Sequence, residues 1–205
     1  MNNVRDFFVN LRQRIDWRPN ALTWLEFILI LLIYPTMQFA APQLFVEDGW
    51  VENIQLVVLA AAIVAALRAK QNRPLFVFVA MVVVFMIMRE TNMLRGYYCS
   101  AYLNPDEMCR WEAFKYGYAV KSLRWLWVAY MVYYFIRNKL WKTVIKYVSN
   151  APIYIWDFLV LGLMMMGGTA AEFADIDNEI MEECCEFVCY MALFNCVLRY
   201  RQIKI

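Results

Sequence analysis

Six apolar stretches, at residues 21–40, 51–67, 75–93, 116–136, 153–169 and 179–198, are separated by short polar segments, and that spacing leaves few folds open to the chain. Each stretch approaches the twenty or so residues a helix needs to cross a hydrocarbon core. With 63% hydrophobic and 19% charged residues, the 205-residue chain has too little polar surface to wrap these segments in an ordinary water-soluble domain. The expected fold class is an all-α transmembrane bundle of six spans, forming one membrane domain over 1–205, with 1–20 as a cytoplasmic amphipathic segment on the membrane surface. No small-x-small cleavage site follows the first stretch, which therefore reads as an uncleaved helix, kinked near Pro35. Pro152 is placed in the first turn of the fifth span, and 137–146 reads as a basic turn.

Charge sets the orientation. The segment before the first stretch, the turns at 68–73 and 137–146, and the C-terminal residues hold 14 of the 20 Lys and Arg, so the positive-inside rule places both termini in the cytoplasm. A multi-pass protein of the plasma membrane, in bacteria the inner membrane, is expected. Acids run the other way: Asp6, Asp16, Glu26 and Asp157 fall on the inner side, and the remaining 14 of 18 lie outside. Orientation rules scarcely weigh acids, so this bias needs its own cause. Histidine is absent, which excludes His-ligated zinc, Glu-x-x-His di-iron sites and His acid–base catalysis. A net charge of +2 with no basic, aromatic-interleaved run excludes nucleic acid as a partner.

The acids concentrate in the sixth stretch. Glu179, Glu182, Glu183, Glu186 and Tyr190 are spaced by one, three or four residues and stack on one helix face. With this topology, Glu52 and Gln55 of the second stretch, Arg89, Glu90 and Asn92 of the third, and Lys121 and Arg124 of the fourth come to the same outer level. At 1.5 Å per residue, Arg124 and Glu186 lie roughly 10 Å below the ends of their helices. Facing lipid would cost each on the order of 3 kcal/mol, so they should face the bundle interior.

Two readings of this constellation stand side by side. In one, Lys121 and Arg124 neutralise Glu183 and Glu186 and hold two helices in register. In the other, the excess of charge makes an outward pocket for an anionic or zwitterionic ligand, lipid headgroups above all. Lys121, Arg124 and Arg89 would then hold phosphate or carboxylate, and Glu52, Glu90, Glu183, Glu186 and Tyr190 would complete the site. If a reaction occurs there, Glu183 or Glu186 is the candidate catalytic base. Glu52, Glu90, Glu183 and Glu186 also offer hard oxygen ligands for a divalent metal such as Mg, Ca or Mn, a cofactor that the neighbouring Lys and Arg disfavour. Asp175-Ile-Asp-Asn-Glu179 lacks the glycine and distal acid of a calcium loop and reads as a helix start.

Cys99 and Cys109 bracket an external loop turned by Asn104-Pro105 and are the disulfide candidates. Cys184, Cys185, Cys189 and Cys196 read as small packing residues; the alternative is thiol redox chemistry, against which stand the acidic neighbours. The Gly167-Gly168 pair is expected to allow close helix packing.

Glu47-Asp-Gly-Trp-Val-Glu52 and Glu182-Glu-Cys-Cys-Glu-Phe-Val-Cys-Tyr190 resemble the E-D-G-x-x-E and late E-E-x-x-E-x-x-x-Y patterns of a group of uncharacterised bacterial polytopic membrane proteins. Glu90 matches an acid in their third helix. The resemblance covers about fifteen residues and implies a six-helix-like architecture with a shared polar site, and no activity. Beside the ligand pocket, three functions stay open: a proton-coupled carrier, which the absence of a comparable polar site in the cytoplasmic half disfavours; a structural subunit with an internal ion-pair network, docking a protein partner at its acidic outer loops; and a membrane thiol redox protein.

Overall fold

The computed structural model describes residues 12–39, 50–91, 117–173 and 179–204. Cys99, Cys109, Asn92, Asp175, Asp177, the Glu47-Asp-Gly turn and most of the amphipathic N-terminal segment lie outside them. The long helices are α1 (Ala21–Phe39), α2 (Trp50–Leu67), α3 (Arg73–Glu90), α4 (Gly117–Arg137), α6 (Ile155–Phe173) and α7 (Glu179–Tyr200). A shorter helix, α5 (Leu140–Asn150), and two strands, β1 (Ile15–Asp16) and β2 (Ile153–Tyr154), complete the described residues.

The other helices are arranged around α7. It packs against α6, α2 and α1; α3 lies on α2, and α4 lies outside α3. Small side chains allow this. On α2, Ala62, Ala65 and Ala66 recur at three- and four-residue steps and Ala69 follows just past its end, forming a buried smooth stripe that meets Val83, Phe76 and Ala80 of α3 and Tyr190 and Val197 of α7. On the other flank Val188 and Ala192 of α7 interlock with Val160 of α6 and with Phe27 and Ile30 of α1. A Cβ added at Gly167 would sit 3.1 Å from the Cys185 Sγ, so α6 and α7 touch at a distance only glycine permits without adjustment. The expectations for Gly167-Gly168 and for Cys185 as a packing residue agree with this contact. α1 runs unbroken through Pro35.

The distribution of polarity is inside out. Thr23, Glu26, Gln55, Asp157 and Asn195 are fully buried, each at 0% exposure, whereas Leu31, Val57, Leu126 and Met166 are 75, 68, 66 and 71% exposed on the outside of the bundle.

Three corrections follow. Of the six expected spans, two helices, Ala21–Phe39 and Trp50–Leu67, are long and apolar enough to cross a membrane. The other four carry charge within their length: Arg73, Arg89 and Glu90 in α3, Lys121 and Arg124 in α4, and four glutamates in α7, while the apolar part of α6 stops at Ile155–Ala171. Second, residues 15–16 are not part of an amphipathic helix. They pair in parallel with β2, Ile15 opposite Ile153, directly after a helical turn at 12–14, and Pro19 keeps Arg18 beyond them out of helical geometry. Third, the basic turn contains α5, on which Leu140 and Tyr147 point inward while Lys142 and Lys146 stay outside. The strand β2 takes Ile153 and Tyr154, so the next helix begins at Ile155 and Pro152 precedes it.

All the basic segments meet at one end of the bundle. Arg14 donates to the carbonyls of Ala151 (2.9 and 3.1 Å) and Val148, Asn72 to the Tyr147 hydroxyl (3.0 Å), Tyr200 to the Pro152 carbonyl (2.8 Å), Arg199 to the Arg18 carbonyl (3.1 Å) and Arg201 to that of Ala65 (3.4 Å).

Candidate functional site

Two polar clusters occupy opposite ends of α7, both set by its periodicity. At its start, Glu183, Glu186 and Tyr190 share a face turned toward α2 and α3. Gln55 donates through Nε2 to the Glu183 carboxylate at 2.9 Å and to its backbone carbonyl at 3.0 Å. Arg89 bridges two carboxylates, pairing with Glu186 through Nη2 and with Glu90 through Nε at 3.3 Å. Tyr190 then donates to the same Glu90 oxygen at 2.6 Å. The chain Glu186–Arg89–Glu90–Tyr190 closes a ring between α3 and α7, and Glu52 and Glu182 lie near enough to Glu183 to repel it. The Gln55 Oε1 is buried without a donor.

The sequence expectation thus brings together Gln55, Arg89, Glu90, Glu183, Glu186 and Tyr190. The cation on Glu186 differs from the expected one: Arg89 of α3 holds it, where Lys121 and Arg124 were expected. The physical reason is layering, since α4 packs on α3 and α5 and stands one helix away from α7. Lys121 is exposed and Arg124 half-buried on that outer helix. Glu52, Glu90, Glu183 and Glu186 read from the sequence as oxygen donors that neighbouring cations keep from a metal. Among the described residues no group of three or more acidic or cysteine side chains is placed to hold a metal ion, because Glu90 and Glu186 are drawn onto Arg89 and Glu183 onto Gln55.

The second cluster sits at the basic end, where no comparable polar site was expected. Asn195 of α7 donates to Glu26 of α1 at 3.0 Å and exchanges hydrogen bonds with Asn20, whose amide reaches the Asn195 oxygen at 2.7 Å. Thr23 donates to Asp157 of α6 at 2.7 Å, and Arg199 pairs with the other Asp157 oxygen at 2.7 Å. The Arg199 guanidinium also lies 3.7 Å over the Tyr154 ring. Burial raises the Tyr154 hydroxyl above the ordinary tyrosine range, and the nearby Arg199 charge partly offsets that. Glu26 keeps one oxygen, Oε2, with no partner. Sequence reasoning missed this cluster because each acid stands alone in an apolar helix; the available signal was Glu26 and Asp157 within otherwise uncharged stretches, which predicts inward-facing partners.

Cys185, Cys189 and Cys196 are buried, and the Cys189 Sγ lies 4.0 Å from the Leu161 carbonyl. Neither of two well-formed cavities is lined by the carboxylates at the start of α7. One of about 200 Å³ lies between α1, α2 and α7 beside Cys184, and one of about 480 Å³ lies near the basic end beneath α5. The site therefore comprises two internal networks, each tying α7 to its neighbours. No protein-family profile, curated protein or solved structure matches the chain.

Proposed function

We propose that the chain is a six-span membrane protein, its basic end cytoplasmic, in which the two polar networks lock α7 in register: a structural subunit rather than a catalyst. The observation that carries this reading is the inversion of polarity, with five polar side chains fully buried while large apolar side chains cover the outside. In lipid such a surface costs nothing, and buried hydrogen bonds supply the specificity that greasy helices lack. In α3 and α7, Arg89 pairs with Glu90 and Glu186, and Arg199 with Asp157, which lowers the cost of insertion, while Lys121 and Arg124, in the first eight residues of α4, reach toward the headgroup layer along their own apolar stems. Membranes from expressing cells are washed with alkaline carbonate and then dissolved in detergent. Release of the chain by carbonate would end the reading; release by detergent alone is expected.

A second reading rests on Gln55, whose buried oxygen lacks a donor beside Glu183, close to the two carboxylates that share Arg89. It makes the first turns of α7 a site for a ligand bearing an ammonium group, such as a zwitterionic headgroup. Glu52, Glu90, Glu183 and Glu186 would meet the amine, Arg89, Lys121 and Arg124 the anion, Tyr190 would position Glu90, and Glu183 or Glu186 would be the base of any reaction. Phosphatidylethanolamine retained by the purified protein and lost from Glu183→Gln would support it, and equal retention by both would end it.

A further inference from the structure

The larger cavity has walls that the networks do not use. Leu75, Phe76 and Val79 of α3, Leu161 of α6, and Leu193 and Val197 of α7 enclose about 480 Å³, a volume within the roughly 300–1,000 Å³ of ligand sites. It lies in the gap between α3, which packs on α2, and α6, which packs on α7, and α5 covers its basic end. Its polar lining groups are already engaged. The Tyr147 hydroxyl accepts from Asn72, and the Tyr200 hydroxyl donates to the Pro152 carbonyl. Water held in a cavity needs two to four polar partners, and these mainly apolar walls offer few. The rim is open and apolar, with Phe158 and Val148 exposed.

One charge stands at the mouth. Arg14 lines the cavity, and among the described residues its guanidinium rests on the carbonyls of Ala151 and Val148 and on no carboxylate. Around it α5 presents Lys142 and Lys146 beside exposed Trp141, Ile145 and Val148, the make-up of a helix lying in a headgroup layer. Apolar crevice and cationic mouth together match one chemistry, a hydrocarbon chain ending in an anionic head.

We propose that this crevice is a binding site for one anionic phospholipid of the leaflet at the basic end, an acyl chain lying between α3 and α6 with its phosphate on Arg14. The inference rests on the membrane reading, and its test separates the two. Purified protein is delipidated in detergent, incubated with phosphatidylglycerol or phosphatidylcholine of identical chains, and weighed by native mass spectrometry. Wild type should retain one phosphatidylglycerol, and at least tenfold less phosphatidylcholine. Val79→Phe with Leu193→Phe fills the crevice and should lower phosphatidylglycerol occupancy tenfold or more; Leu193→Phe alone serves as the milder variant if the pair fails to fold, with a threefold or greater loss expected. Arg14→Gln should equalise the two lipids. Unchanged retention in a folded, crevice-filled variant overturns the proposal, as does equal retention of both lipids by wild type. A dimer mass lost on filling would assign the crevice to a second copy and overturn it too. A chain that carbonate releases from membranes fails at the membrane reading, whatever lipid it retains in detergent.

Discussion

Asp157 and Glu26 join the same hydrogen-bond chain at the basic end, and only Asp157 touches the guanidinium of Arg199. Their substitutions should therefore diverge. Asp157→Ala removes the carboxylate from a partly buried Arg199 and the acceptor from Thr23 and should cost about 2–3 kcal/mol, less than the full penalty for a wholly buried pair because Arg199 keeps the Arg18 carbonyl and the Tyr154 ring. Glu26→Gln removes a charge that has no ion pair and keeps an oxygen for Asn195, so a loss within about 1 kcal/mol is expected. Chemical unfolding in detergent reads both, and equal losses would mean that Arg199 serves both acids alike. A smaller device sits at the head of α3. Asn72 adopts a left-handed conformation, with φ 47°, which asparagine tolerates better than most residues, and its amide donates to Tyr147. Asn72→Ala loses both features and should cost about 1–2 kcal/mol in the same measurement.

At the scale of elements, the closest approach is that of α6 to α7 at Gly167. An alanine there would press the Cys185 sulfur by a few tenths of an ångström, whereas one at Gly168 would make ordinary contacts of 3.7 and 3.8 Å. Gly167→Val is expected to lower stability by about 1–3 kcal/mol and Gly168→Ala to do much less, with Cys185→Ala restoring part of the Gly167→Val loss. Thermal melts of the three single variants and the double variant check this. The pairing of small residues was legible in Gly167-Gly168, and so were all six long helices, because apolar runs of that length admit little else. The helix α5 was not. Its three lysines, counting Lys139 before it, read as a turn, and its inward face rests on Leu140 and Tyr147, too few residues for a periodic signal. The β1 and β2 pair was equally silent, since two residues carry no alternation.

Across the whole molecule, the four basic segments converge at one end through hydrogen bonds spanning up to 181 positions in the chain. In a variant lacking its native cysteines, single cysteines at Gln71, Ser149 and Gln202 should accept an impermeant maleimide from one side of sealed vesicles, and one at Thr91 from the other. Labelling of all four from one side would defeat the six-span arrangement. The outer carboxylates were legible because they crowd one face of one helix. Their cation was assigned to another helix because spacing alone cannot rank neighbours: α4 packs on α3 and α5, whereas Arg89 and Glu90 of α3 reach Glu186 and Tyr190 of α7. The basic-end cluster was hidden for the opposite reason, being assembled from single residues of α1, α6 and α7.

The central place of α7 also bears on the order of events during synthesis. It follows in the chain every helix it binds. Gln55 emerges from the ribosome some 128 positions before the Glu183 it will hold, and Glu26 some 169 before Asn195. Gln55, Glu26 and Asn20 must wait for these partners, although Thr23 and Asp157 can already meet, until the arrival of one helix joins the earlier ones at both ends.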